Sequence, residues 1–394
     1  MRKFRIGILF LIGFSWAFGE STLLAKADGL WCRNLYEYAC QSVWQEYGKG
    51  EFPTSRTPSN LAYVKEASHS LMRQVTRRWM KKAIARMQLQ LTMGGSHPPG
   101  YIQWQDLDFF KRLKEYNARD YTVFLDKQYL KTLEGFGGEE YLKSLFEYTR
   151  STLSEVIEES SLRREDKNQI LQNLKSIKLT APVDYIYLLV KHFKAKYPKS
   201  KENFMAKVIK NYTHLCGEFG EVSNAAYMSL THSFTLCSGL VWQLFDDSNG
   251  DQKAFEISLM RVIAHEMMHS SDFKKAPLRY QEQAECYHKR FKREFNSKIP
   301  LWHTKEETEL KMGEISSDYW AAKVLAKVMT KWKGSAEENA DLLAASVRFG
   351  CYSKDSGGVH PSGEFRANVI LEGDTELREL LGCESRWYKR ACEL

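Results

Sequence analysis

The stretch Ser258-Leu-Met-Arg-Val-Ile-Ala-His-Glu-Met-Met-His-Ser-Ser-Asp-Phe273 decides how this chain is read. Leu259, Ile263 and Met267 fall on one strip at helical spacing, with Met260, Ala264 and Met268 beside it. Arg261, His265, His269 and Asp272 form a separate polar stripe. No Gly or Pro interrupts the chain from Asp251 to Ala276, so the spacing predicts a helix over 258–273. Residues four apart share a helix face, so His265 and His269 can present two imidazoles to one metal ion.

A second motif, Glu314-Ile-Ser-Ser-Asp318, begins forty-five residues after His269. Ile315, Tyr319, Ala322, Leu325 and Met329 recur at helical intervals and predict a second helix. His265-Glu266-x-x-His269 has the H-E-x-x-H spacing of zinc hydrolases. A catalytic zinc takes three protein ligands and keeps one position for water, and Glu314 is the natural third ligand. Asp318 shares its face and can accept the free N–H of a ligand histidine, which fixes tautomer and ring orientation. Each motif has an ordinary alternative: H-E-x-x-H arises by chance, and a Glu–Asp pair at i,i+4 is commonly a solvated face. Their order on two amphipathic helices favours metal, one zinc per chain.

The arrangement resembles the gluzincin metallopeptidases, specifically the neprilysin and endothelin-converting-enzyme family. Cys32-Arg-Asn-Leu-Tyr-Glu-Tyr-Ala-Cys40 with Trp44 resembles the family's C-x-D-F-Y-x-Y-x-C-G-x-W opening. Asn224-Ala225-Ala226-Tyr227, leading to Ser238-Gly239-Leu240, resembles its N-A-Y-Y…A-G-[IL] strand. Val262-Ile263-Ala264 resembles the V-I-G before H-E. His360-Pro-Ser-Gly-Glu-Phe365-Arg366 resembles H-x-P-x-x-[FY]-R, and Cys383 follows in the family manner. The resemblance covers about the C-terminal half and the opening near Cys32. Family members are usually longer, and the shortfall falls between about Glu51 and Glu140. Departures are Ser270 for Gly, Ile315 for Asn, Tyr319-Trp320 for Gly-Gly, Met228-Ser229 for Asn-Pro and Cys237 for Pro, with Pro361 one place early. They bear on subsite specificity and remove no ligand.

The resemblance implies that His265, His269 and Glu314 ligate zinc and that Glu266 is the general base. Asp318 and Asp272 would orient the ligand imidazoles, and His360 would donate to the developing oxyanion. Asn224 and Ala225 would bind substrate main chain on an edge strand, and Arg366 would hold a substrate carbonyl with its fork. Read without the family, His360 is a loop histidine among Gly357, Gly358 and Pro361, and Arg366 forms a structural ion pair. The fold expected is mainly α with a small β-sheet (α+β), a thermolysin-like catalytic lobe plus a reduced helical lobe. Its parts are a signal peptide (1–27), a helical N-terminal lobe (28–202) and a catalytic domain (203–394).

The N-terminus reads as a secretory signal. Arg2, Lys3 and Arg5 precede the apolar run from Ile6 to Phe18, and Ala25-Lys26-Ala27 offers a cleavage site. Left uncut, the segment would be a marginal anchor, shorter than the roughly twenty residues a span needs. The expected location is therefore secreted or periplasmic, with membrane attachment only if the signal is retained. Eight cysteines in an exported chain fit disulfides. The resemblance implies Cys32–Cys383, Cys40–Cys351 and Cys286–Cys392. Cys216 and Cys237 remain and are expected to pair with each other, a departure from the family. The net charge of +8 is spread along the chain, and no nucleic-acid-binding module accompanies it.

Along the chain, 57–91 and 101–133 read as helical, separated by the Gly/Pro loop 93–100. Gly135-Phe-Gly-Gly138 reads as a turn, Glu139 to Lys178 as helix closed by Pro182, and Gly217 to Leu240 as the β region. The leading expectation is an exported zinc peptidase acting on peptides or unfolded proteins. The alternatives are a catalytically silent peptide- or protein-binding protein on the same scaffold, and a structural zinc site closed by Cys286 or His288.

Overall fold

The computed structural model describes residues 29–47, 118–217, 220, 222–271, 282, 285–287, 289, 305–352, 360–383 and 392. The signal segment, the helix expected over 57–91 and Asp272 lie outside these residues. Among them the protein is mainly helical with a small three-stranded sheet, as the α+β reading expected. The helices are α1 (Leu35–Tyr47), α2 (Ala118–Glu134), α3 (Gly138–Glu159), α4 (Arg164–Ser176), α5 (Pro182–Lys196) and α6 (Phe204–Cys216). They continue with α7 (Ser238–Asp247), α8 (Gln252–Met268), α9 (Lys305–Trp332), α10 (Ala336–Arg348) and α11 (Thr375–Leu380). The strands are β1 (Lys178–Thr180), β2 (Ala225–Met228) and β3 (Ser233–Leu236).

Helix α8 is the hub, packed against α3, α7, α9, α10 and β2. Asp251 starts it: its Oδ1 accepts from the amides of Lys253 and Ala254 at 2.8 and 3.2 Å, satisfying two otherwise orphaned donors. Apolar residues on all its sides, from Phe255 and Ile257 to Met267 and Met268, are buried. A helix covered all round is a core helix. Arg261 and His265 of the polar stripe are therefore buried in protein, and each needs a partner.

Two expectations are corrected. The span 139–178 is not one helix. Ser160 leaves the helical region (ψ 169°), and its hydroxyl donates to the Ile157 carbonyl at 2.7 Å. A second helix follows, and Lys178–Thr180 becomes β1, paired in parallel with β3 from Lys178↔Ser233 to Thr180↔Thr235. A partner strand more than fifty residues away thus overrides local helical pattern. The β region is also shorter than expected, because Ser238 begins α7.

Strand order is β1-β3-β2, so β2 is an edge strand, antiparallel to β3 with Ala225↔Leu236 and Tyr227↔Phe234 in register. One core joins Leu142, Phe146 and Leu153 of α3 to Ile263 and Met267 of α8 and to Val324 and Leu325 of α9. All eight cysteines pair as Cys32–Cys383, Cys40–Cys351, Cys216–Cys237 and Cys286–Cys392, with Cα–Cα distances of 5.4, 5.5, 5.3 and 5.7 Å. Such bridges fit an oxidising, extracytoplasmic compartment. No helix among the described residues is long and apolar enough to cross a membrane.

Candidate metal centre

Helices α8 and α9 bring three potential metal-binding side chains together. His265 Nε2 lies 3.1 Å from His269 Nε2 and 3.1 Å from Glu314 Oε2, and His269 Nε2 lies 3.4 Å from Glu314 Oε1. Tetrahedral donors set about 2.0–2.1 Å from zinc stand about 3.3 Å apart, so these separations fit a single ion. His265 Nδ1 faces Asp318 Oδ1 at 3.0 Å. In the neutral ring that contact puts the proton on Nδ1 and leaves a lone pair on Nε2. Two imidazoles and a carboxylate this close are held together by a shared proton or by a metal ion.

His265, Glu266 and His269 also bring one donor atom each to within 4.8 Å of one another. The structure nonetheless separates the two glutamates. Glu314 oxygens touch both imidazoles, whereas the Glu266 carboxylate approaches His265 Nε2 only to 4.0 Å. Glu266 Oε2 instead accepts from the Tyr227 amide of β2 at 2.9 Å. Glu314 thus stands where a ligand would, and Glu266 stands beside it, aimed at the edge strand.

Behind the candidate ligands, Asp318 is almost fully buried, at 1 % exposure. Arg366 holds it with Nε at 2.6 Å and Nη2 at 2.7 Å, a two-pronged contact. Arg366 opens a π-helical turn, Arg366–Leu371, that follows the short helical segment Gly363–Phe365. A side chain at Gly363 would run into the Gly350 carbonyl, so glycine allows the close approach that seats this turn. The structural ion pair that the sequence left open is present: the Nε and Nη2 of Arg366 both hold Asp318. Arg261, one turn before His265, adds a second cation 3.8 Å from Asp318 and donates to the Ser346 carbonyl at 2.6 Å.

The remaining expected residues divide. His360 is mostly exposed, and its Nδ1 sits 2.8 Å from Glu314 Oε2, so only its other ring nitrogen is left for an oxyanion. Lys311, buried on α9, donates to the His360 carbonyl at 3.2 Å. Asn224 immediately precedes β2. Its carbonyl accepts from Cys237 and its side-chain amide donates to the Leu215 carbonyl. Because Asn224 pairs with Cys237, alternation turns the backbone groups of Ala225 and Tyr227 away from β3. The Tyr227 amide uses that outward side to reach Glu266. Among the described residues the group facing His269 Nδ1 is Ser317 Oγ, at 3.4 Å. Sequence reading passed over Ser317, although it precedes Asp318 directly. Lys311 belongs to no ligand pattern, and Arg261 stood out only as a member of the polar stripe.

The electrostatics favour a cation. Burial opposes ionisation of Glu314 and Asp318, but the surrounding groups overcome it and hold both well below the usual carboxylate range. His265 and His360 do this for Glu314; Arg366, His265 and Arg261 do it for Asp318. Burial also opposes charge on His265, yet Asp318 and Glu314 push it up to about 9. His269 moves the other way, down to about 4, through burial and the neighbouring His265, so it remains a neutral donor at ordinary pH. Burial raises the Glu266 carboxyl from its usual value. Compared with known proteins, the chain matches no family model and no curated protein.

Proposed function

We propose that this chain is an exported zinc peptidase of the neprilysin and endothelin-converting-enzyme type, with a thermolysin-like catalytic lobe. One observation carries the reading. Donor atoms of three side chains converge at 3.1–3.4 Å on one side of α8, while a fourth group, Glu266, is held just outside them and bonded to an edge strand. A structural zinc site would be closed by a fourth protein ligand. Here the neighbouring acid instead stands ready to exchange protons.

His265, His269 and Glu314 would hold the ion. When bound, zinc supplies Lewis acidity and lowers the pKa of a coordinated water. Glu266 accepts the proton of the attacking water and later delivers it to the leaving amine. Asp318 keeps the His265 ring in the tautomer that offers Nε2 as a lone pair, and Arg366 keeps Asp318 ionised. The backbone of Ala225, facing away from β3, receives an extended peptide as an added strand. Backbone pairing recognises any extended segment, so peptides and unfolded chains are the substrate class.

The test is metal content and peptide-library cleavage of the mature protein beside Glu266→Gln. Zinc near one per chain in both, with cleavage only in the wild type, is the expected result. Cleavage retained by Glu266→Gln overturns the assignment of the base. Zinc bound without cleavage by the wild type overturns the peptidase reading in favour of a silent binding scaffold.

A further inference from the structure

The edge strand is tied to α8 by more than the hydrogen bond from Tyr227 to Glu266. The Tyr227 hydroxyl lies 2.6 Å from His232 Nδ1. His232 Nε2 lies 3.0 Å from the Asn173 carbonyl and 2.8 Å from Ser176 Oγ, both on α4. The Asn173 side-chain amide in turn donates to the Ser270 carbonyl at 3.1 Å, one residue beyond His269. The chain of contacts therefore closes on itself. It leaves α8 at Glu266, crosses β2, the hairpin turn and α4, and returns just past the second histidine of the motif.

The tautomer follows from the partners. A carbonyl can only accept, so His232 Nε2 carries the proton and Nδ1 accepts from the tyrosine. Local sequence does not ask for histidine here. His232 adopts φ 48°, a left-handed conformation that costs most residues energy and that Gly or Asn fills more easily. Its side chain is what the position uses. An edge strand is laddered on one side only, so β2 needs a second restraint if its outward amide is to stay on Glu266.

We infer that His232, with Tyr227 and Asn173, is a positioning relay that fixes the distance between the edge strand and the Glu266 carboxylate. The relay sets how an added peptide strand presents its carbonyl to the site. Its bearing on turnover rests on the peptidase reading; its bearing on β2 does not.

The experiment uses the full mature protein, with His232→Asn and Tyr227→Phe made singly and together. Asparagine suits the left-handed turn but is too short to span Tyr227 and α4, so the hairpin is preserved. Amide exchange across 224–228 should quicken about tenfold in each single variant, the equivalent of about one lost hydrogen bond. The double variant should show no further increase, because both changes open the same chain. Zinc content should remain at the wild-type level. On a peptide substrate kcat should fall by a similar factor, while a purely structural weakening would leave kcat per folded, zinc-loaded molecule unchanged. Unaltered exchange in β2, or additive effects in the double variant, overturns the relay. Quickened exchange with a wild type that binds zinc but cleaves nothing leaves the relay standing and removes the peptidase reading.

Discussion

Asp318 and Arg366 meet through two hydrogen bonds, 2.6 and 2.7 Å long, and the carboxylate so gripped turns its Oδ1 to His265 as well. The pair lies beneath the site and is shielded from water. Removing one partner of a buried pair leaves the other uncompensated, at roughly 3–5 kcal/mol. Arg366→Ala should therefore destabilise the fold toward the lower end of that range, because Arg261 remains near Asp318. Arg366→Lys keeps the charge and loses the fork, so it should cost less. Denaturant unfolding measures both, and an unchanged midpoint in Arg366→Ala would show the pair to be energetically idle.

Glu314→Gln removes the charge that faces both imidazoles. Zinc affinity should drop steeply, while Glu266→Gln should leave it near the wild-type value. Competition with a chelator of known affinity separates the two. Similar losses in both variants would make Glu266 a ligand and defeat the distinction drawn between the glutamates.

Ser317→Ala tests the group facing His269. Outer partners of metal-bound histidines typically contribute 10–100-fold in affinity. The 3.4 Å contact is long, so a loss at or below the lower figure, about tenfold, is expected. A loss as large as that of Glu314→Gln would mean that Ser317 does more than orient a ring.

The pH dependence has a defined sign. In protein stripped of metal, His265 has its pKa raised to about 9 in the folded state, against about 6.5 unfolded. The proton's contribution is therefore complete below pH about 6.5 and is lost as the pH rises through about 9. The thermal midpoint of stripped protein should fall across that interval. Zinc-saturated protein should stay level there, because the ion takes the proton's place. Parallel curves for the two forms would separate the metal from these imidazoles. On the acid side Asp318 is depressed, so its contribution is present above about pH 4 and disappears only below the ordinary carboxylate range.

The disulfides Cys32–Cys383 and Cys40–Cys351 are nested, so either one keeps the N-terminal opening docked when the other is cut. Removing one should cost less than half of what removing both costs. Unfolding of the two single and the combined Cys→Ala variants tests this, and simple additivity would contradict it.

The sequence by itself determined what depends on short spacing. Four residues on a helix put His265 and His269 on one face, and the same step paired Glu314 with Asp318. The turn at Gly135–Gly138 and the α+β class were legible for the same reason, since turn chemistry and apolar periodicity are local. Three of the cysteine pairings came from resemblance to a family, Cys216–Cys237 joined the two that remained, and none came from spacing. Only the tertiary structure decided which groups meet across long separations. Arg366 turned inward to Asp318 because a buried carboxylate needs a charged partner. Glu266 was set apart from Glu314 because an edge-strand amide claimed its oxygen. Lys178–Thr180 became a strand because β3 lay beside it. In each case a hydrogen bond between residues distant in the chain outweighs a local preference, and sequence periodicity carries no record of that distance.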